Sequence, residues 1–404
     1  KVKTKGQNEG EKLLVPKLRF KEFKNEWNEI TLKKLLSFKN GINGDKDSYG
    51  YGIKYISVGD ILNNTYITYD KIKGLIDIND KTLKENSVEY GDMVFQRSSE
   101  TFNDIGQANV YLDKKQIATF GGFVIRGKKI GNYNPLFFNY LLKSPFNRKK
   151  VIVKGAGAQH YNISQEELEK IKVNFTVEKE QVKIANLFYS LDKKIELQQR
   201  KIEALKIYKK GLIQKMYQKN YNNKIKMEKI LIQKSIRNTN DENYNVYSVS
   251  NKDGFILQTE QFKDRIVASE DTKNYKVVEK DDFAYNPARI NVGSIARMKK
   301  DTKGIISPMY ICFKCNEKIL PEYLEYFFES SKFTYEMNKR LEGSVRMCLS
   351  YESMLNIPIE LPNKNEQEEI SKMLNNLSDK IKLEEEKWIK LKKLKKGLLQ
   401  KMFI

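Results

Sequence analysis

The sequence predicts a mixed α+β protein of the α/β class. Two globular domains are separated by two long helices that pair as an antiparallel coiled coil, so the chain is a pseudo-twofold internal repeat. Three observations lead there. The stretch KKGLIQKMY (Lys209–Tyr217) returns as KKGLLQKMF (Lys395–Phe403). Sliding the chain by 186 residues aligns Ile163–Tyr217 with Leu349–Phe403 without a gap, with matches at Ser164/Ser350, Ile171/Ile357, Glu180/Glu366, Gln181/Gln367, Leu191/Leu377 and Gly211/Gly397. Within both copies apolar residues recur at alternating steps of four and three, the pattern of a coiled-coil seam.

Residues 1–14 read as a polar tail, with no apolar block of the kind a secretory signal carries. Residues 15–162 form the first globular domain, mixing short β-branched and aromatic strands with turns and one amphipathic helix. Residues 163–218 are the first helix region, 219–348 the second globular domain and 349–404 the second helix region. The globular parts are related more loosely than the helices. EITLKKLLSFKNG (Glu29–Gly41) parallels KIKMEKILIQKSI (Lys224–Ile236), VEYGDMVFQR (Val88–Arg97) parallels VEKDDFAYNP (Val278–Pro287), and NPLFFNYLL (Asn134–Leu142) parallels LPEYLEYFF (Leu320–Phe328).

In each helix region a polar start leads into a strand-like piece, and a Glu-Gln pair then opens the helix. The first seam runs Ile184, Phe188, Leu191, Ile195, Ile202, Leu205, Leu212, Met216. The second runs Ile370, Leu374, Leu377, Ile381, Trp388, Leu391, Leu398, Met402. Gln198 and Lys209 interrupt the first, and Glu384 and Lys395 interrupt the second at the same positions. Leu197/Leu383 and Tyr208/Leu394 are expected to supply apolar shoulders there, as the stripe drifts on a 3.6-residue helix. Each helix should be about 40 residues and about 60 Å long. Gly211 and Gly397 point to close helix approach or a bend, although frayed helix ends also tolerate glycine.

Composition narrows the function. With 40% hydrophobic and 31% charged residues the chain fits a folded globular protein, and no apolar run approaches the roughly 20 residues of a membrane span. Its 74 basic against 52 acidic residues leave a net charge of +22, which favours a polyanionic partner. Three cysteines form no disulfide framework and suit a reducing cytoplasm. The Cys312–Cys315 pair has C-x-x-C spacing but lies in a β-favouring run, where residues three apart face opposite ways, so no metal site is expected.

The opening LRFKEFKNEWNEITLKKL (Leu18–Leu35), GDMVFQRSS (Gly91–Ser99) and the twice-repeated order of Glu-Gln pair, long helix and KKGL-QKM ending resemble the specificity subunit of Type I restriction-modification systems. The resemblance covers nearly the whole chain after the polar tail. It implies that each globular part is a target recognition domain reading one half of a split DNA site. It also implies that the long helices hold the domains apart and dock two methyltransferase subunits, with restriction/translocase subunits joining through the complex. S-adenosylmethionine, ATP and Mg would then sit on partner subunits, with no catalytic residue in this chain. Half-sites on a reachable face of the duplex should lie close to one turn, about 10 bp, apart.

Several segments are candidates for contact with double-stranded DNA. In FQRSSETFND, Gln96 and Arg97 have the geometry to pair bidentately with adenine and guanine, and Ser98, Ser99 and Thr101 are suited to phosphates. The counterpart YNPARINVGSIARMKK carries Asn286, Arg289, Asn291 and Arg297. KGAGAQHY offers Lys154, Gln159 and His160, opposite Ser344 and Arg346. The competing expectation is that these are solvated loops of a lysine-rich protein. The lysine-rich helix ends are expected to serve structure and partner docking, their stems covering the seam.

YNPAR brushes against the N-P-P-[YF] motif of amino-methyltransferases but lacks the second proline and the aromatic, and no phosphate-binding GxxxxGK[ST] is present. KGAGAQHY likewise lacks the third glycine of a dinucleotide loop. An enzyme with unrecognised motifs remains a rival, as does a stand-alone regulator or nucleoid-type DNA-binding protein that dimerises through the coiled coil.

Overall fold

The computed structural model describes residues 14–157, 160–219, 221, 223–261, 271–343 and 347–404. Almost all of the polar tail therefore lies outside the described residues. The chain divides into two units: the described residues up to Gln199 together with Lys387–Ile404, and Arg200–Glu386.

Unit 1 runs β1 (Asn28–Thr31), β2 (Leu36–Asn40), β3 (Tyr49–Ile56), α1 (Val58–Asn63), β4 (Gly74–Ile76), α2 (Asp80–Glu85), β5 (Met93–Gln96), β6 (Ser98–Ser99), β7 (Ala108–Val110), β8 (Thr119–Phe120) and β9 (Val124–Lys129). Then come α3 (Pro135–Lys143), α4 (Pro145–Ile152), β10 (Tyr161–Asn162), α5 (Gln165–Glu169), β11 (Lys172–Phe175) and the long α6 (Glu178–Tyr217). One sheet has the order β2-β9-β5-β7 and a second the order β4-β3-β8, while β1 pairs with β11 and β6 with β10. Strand β5 is buried along its length because the core aromatics of α3 and the Ile56–Phe120 cluster claim its opposite faces.

Unit 2 repeats this order with β12 (Lys224–Lys226), β13 (Leu231–Lys234), β14 (Val246–Ser250), β15 (Gly254–Leu257), α7 (Gln258–Gln261), β16 (Lys276–Val278), β17 (Phe283–Tyr285), β18 (Ile295–Arg297), β19 (Gly304–Ile306) and β20 (Ile311–Cys315). It continues with α8 (Pro321–Phe328), α9 (Ser331–Asn338), α10 (Tyr351–Leu355), β21 (Pro358–Glu360) and the long α11 (Lys364–Met402). Its sheets, β13-β20-β17-β18 and β15-β14-β19-β16, match those of unit 1 strand for strand, with β16 as an added edge. Details repeat as well. Asp92 Oδ2 accepts from the Glu89 amide and Asp282 Oδ2 from the Glu279 amide, closing a turn whose third residue, Gly91 or Asp281, has positive φ.

The Glu-Gln pair that opens each long helix acts as a clamp within its own unit. Gln181 Oε1 accepts from the Asn134 amide at the start of α3, and Gln367 Oε1 accepts from the Leu320 amide at the start of α8. Both amide groups also donate to carbonyls preceding their own helix, Thr176 and Pro362. Glu180 takes a bidentate bond from Arg19 at 2.7 Å, and Glu366 accepts from Tyr221 and Lys219.

Helices α6 and α11 have 40 and 39 residues, and each unit is completed by the end of the helix that begins in the other. In unit 1 Phe403 stacks on Phe188 of α6 and meets Phe137 of α3, while Lys395 pairs with Asp192 at 2.5 Å. In unit 2 Tyr217 packs on Tyr323 and Phe327 of α8. There Lys201 pairs with Glu384, and Lys219 pairs with Glu366 nearer the start of α11. Rising numbers on one helix meet falling numbers on the other, so the pairing in each unit is antiparallel.

Of the expected seam, Ile184, Phe188, Leu191, Ile202, Ile370, Leu374, Ile381 and Met402 are buried, and Ile195, Leu205, Leu212, Met216, Leu377, Trp388, Leu391 and Leu398 half-buried. Three expectations need correction. The shoulders Leu197, Leu383, Tyr208 and Leu394 are exposed, because ion pairs fill the seam breaks instead: Lys395 with Asp192, Lys209 with Glu329 and buried Glu384 with Lys201. Ile213, Tyr217 and Phe403 join the core although they lie off the seam, since the helix ends turn toward α8 and α3. A side chain at Gly211 or Gly397 would meet open space, which rules out close helix approach as the reason for glycine.

One lysine makes unit 1 sensitive to pH. Lys143 donates to the Thr65 carbonyl at 2.8 Å, and burial, with nearby Lys395, pushes its ammonium down to about 7. Between that value and the usual lysine value the unfolded chain binds more protons than the folded one, so folding stability rises with pH across this window. The expected slope is at most about 1.4 kcal/mol per pH unit. Thermal melts from pH 7 to 10 should show it, and Lys143→Met should flatten it.

Candidate nucleic-acid interface

In unit 1 the end of β5 is stitched to two neighbouring segments. The Arg97 amide donates to the Phe123 carbonyl at 2.9 Å, and the Ile163 amide donates to the Arg97 carbonyl at 3.0 Å. The Arg97 side chain is exposed, with Nη1 donating to the Gly122 carbonyl at 3.3 Å. The antiparallel pair β6–β10 brings Ser98 beside Asn162, whose Oδ1 accepts a hydrogen bond from the Ser98 hydroxyl. Ala156 bridges to Asn162 beside this pair, and Phe102 of the Phe102–Asp104 turn meets Tyr161 edge to face at 5.3 Å.

Gln96 is 5% exposed and donates from Nε2 to the Ser98 carbonyl, so it fastens the loop instead of reaching outward as expected from sequence. Ser99 Oγ accepts from the Thr101 amide, and the Thr101 hydroxyl donates to Asp104. These hydroxyls hold the loop's own shape. Lys154 is half-exposed and pairs with Glu167 at 3.0 Å. His160 is exposed, and Gln159 lies outside the described residues.

Unit 2 repeats the stitching with different side chains. The Leu349 amide donates to the Pro287 carbonyl at 3.1 Å, the counterpart of the Ile163–Arg97 bond. Asn286 is buried, and its Oδ1 accepts from the Ala288 amide, forming a turn. Arg289 and Asn291 are exposed around the Ile290–Val292 turn. Ser344 and Arg346 lie outside the described residues.

Arg297 is placed quite otherwise than a base-reading arginine. It is 8% exposed, with Nε 2.9 Å from Glu325 and Nη1 2.5 Å from Asp281 and 2.7 Å from Glu322. Burial alone would lower its pKa, but Glu325 and Glu322 outweigh that and hold it above the usual value. A side chain committed to three carboxylates is an internal node of β18 and α8. The sequence missed this because α8 supplies two of the acids from a distance of more than twenty residues.

The cysteines also have a structural place. Cys312 and Cys315 lie on β20, and burial pushes both thiols up to about 12, well away from the thiolate form that binds metal. Among the described residues no group of three or more His, Cys, Asp or Glu could hold a metal ion.

One α/β module, used twice, thus presents two loop clusters built on the same hydrogen bonds but armed with unlike side chains. Such a fold defines a duplicated α/β protein with two long helices. The chain belongs to the Type I restriction modification DNA specificity domain family, whose profile matches residues 24–206 and 223–393. DNA sequence recognition is accordingly its function. It is 23% identical over 417 residues to a putative type I restriction enzyme MjaX specificity subunit of Methanocaldococcus jannaschii, covering 94% of this chain and 93% of that one. Its fold is similar to that of a Type I restriction-modification S subunit from M. genitalium, with a TM-score of 0.58 at 16% identity over 96% of this chain and 99% of the other. It is also similar to a chain from a structure on complex assembly and conformational transition of the type I R-M system, with a TM-score of 0.57 at 11% identity over 93% and 97%.

Proposed function

We propose that each unit reads one half of a bipartite, gapped DNA site, and that the chain directs the chemistry of partner subunits without catalysing any itself. The observation that carries this is the pairing of a repeated scaffold with unlike reading loops: exposed Arg97 in unit 1 stands where unit 2 has Pro287. The net charge of +22 supports a duplex as the ligand. The long helices set the spacing between half-sites and dock two methyltransferase subunits, whose work is adenine methylation, with restriction/translocase subunits joining the same assembly in the cytoplasm. The exposed Leu197 and Leu394 of unit 1, and Leu383 and Tyr208 of unit 2, support that docking, since repeated positions offer like partners a like apolar surface. The antiparallel pairing of α6 and α11 within one chain weighs against a coiled-coil homodimer.

The test is a domain replacement. Residues 15–160 are exchanged for those of a relative that keeps aromatics at Trp27 and Phe137, the seat of Phe403, and methylated adenines are mapped across the host genome. One half of the motif should change while the other half and the gap stay fixed. A change in both halves would overturn the modular reading.

A further inference from the structure

The connections β8–β9 and β19–β20, each crossing from one sheet of its unit to the other, turn through matched tips, Gly121-Gly122-Phe123-Val124 and Ser307-Pro308-Met309-Tyr310. Both are tight turns closed by the same bond: the Val124 amide donates to the Gly121 carbonyl at 2.8 Å, and the Tyr310 amide donates to the Ser307 carbonyl at 3.1 Å. Their sequences have nothing in common, yet each puts a large apolar side chain at the third position and leaves it in solvent. Phe123 is 67% exposed and Met309 61%.

Single exposed apolar residues are ordinary on protein surfaces. What sets these apart is their support and their position. The Gly121 amide donates to the Ile56 carbonyl at 3.0 Å. A Cβ on Gly121 would lie 2.1 Å from the Tyr55 hydroxyl, and one on Gly122 would lie 1.9 Å from Asn43 Oδ1. A side chain at either glycine would have to displace Tyr55 or Asn43, so the turn is closely packed at its first two residues while the third stands in solvent. In unit 2 Pro308 fixes the turn's second residue, and Lys276 donates to the Tyr310 carbonyl at 2.6 Å. Each tip also abuts the loop described above: Arg97 bonds to the Phe123 and Gly122 carbonyls, and Asn286 Nδ2 lies 4.0 Å from Met309 Sδ.

We infer that Phe123 and Met309 are base-contacting residues, one for each half-site, that make apolar contact with duplex DNA beside the polar readers. This rests on the half-site reading above. An apolar side chain on a tight turn suits a thymine methyl or the face of a base step. The cationic neighbour Arg97 and the chain's positive charge favour a duplex over an apolar protein partner as the occupant.

The test replaces the chromosomal copy with Phe123→Ser, Phe123→Leu or Met309→Ser and maps methylated adenines. Phe123→Ser should relax one or two base positions in one half of the motif, and Met309→Ser should do so in the other half. Binding of the purified assembly to the original site should fall about tenfold or more, as for one mismatched pair. Phe123→Leu should recover part of the loss. Abolished methylation with unchanged melting and an intact assembly also supports the contact. Unchanged motifs and affinity in both serine variants would overturn it while leaving half-site reading intact, and loss of a partner subunit would reassign the tips to protein docking. If the unaltered chain directs no gapped motif at all, it is the half-site reading that fails.

Discussion

Replacing Phe403 by alanine is expected to cost unit 1 about 3–5 kcal/mol, the range for deleting a buried aromatic ring. The ring is buried and lies 5.7 Å from both Phe137 and Phe188 and 6.2 Å from Trp27, centroid to centroid. Its removal opens a cavity at the junction of α3, α6 and the end of α11. Tyr217→Ala should do the same to unit 2, where its hydroxyl also donates to the Tyr323 carbonyl at 2.5 Å. Hydrogen exchange on the full chain can tell the two apart. Phe403→Ala should lower protection in β5, α3 and the first half of α6, and Tyr217→Ala in β17 and α8. Uniform loss across both units, or a change below about 1 kcal/mol, would show that the exchanged helix ends do not carry the packing assigned to them.

Arg297→Met should destabilise unit 2 as well, to a smaller extent. It keeps the aliphatic volume but leaves Asp281, Glu322 and Glu325 around an apolar side chain, and because Asp281 and Glu322 keep about a third of their surface in solvent the cost is about 1–3 kcal/mol. Lys299, which also pairs with Glu325, offsets part of this from the surface. Melting the wild type and the variant at neutral pH measures it. A base-reading arginine would behave differently: its loss would relax one position of the recognised sequence and leave the melting temperature alone.

Arg297 and Arg97 show what residue type can and cannot convey. Both lie in segments rich in polar residues, and sequence alone gives them the same promise as readers of guanine. Arg97 is exposed and Arg297 is held by acids from β17's leading turn and α8. The difference lies in contacts between segments far apart in the chain, which no local pattern records. Gln96 and Asn286 went inward for a related reason, because a strand end must satisfy its turn and the nearest amide side chain does so. The tips at Phe123 and Met309 carried a signal that was available: shifted by the same 186 residues as the helices, both are large and apolar within turn sequences.

The duplication, its register, the length of both helices and the kinship of the two globular domains were determined by sequence alone. Periodicity is a local property, and it survives wherever selection keeps a helix face apolar. The Glu-Gln pair and the KKGL-QKM ending could likewise be seen to matter, although not for what. Tertiary structure decided that Gln181 and Gln367 clamp the helices beside them, and that each KKGL-QKM ending is anchored by an aromatic, Phe403 or Tyr217, seated in the unit where the other long helix begins. Two helices with the same stripe are equally able to pack against either domain as far as their sequences go. The choice depends on which aromatic pocket each end can reach once the whole chain has folded, and that is a property of three dimensions.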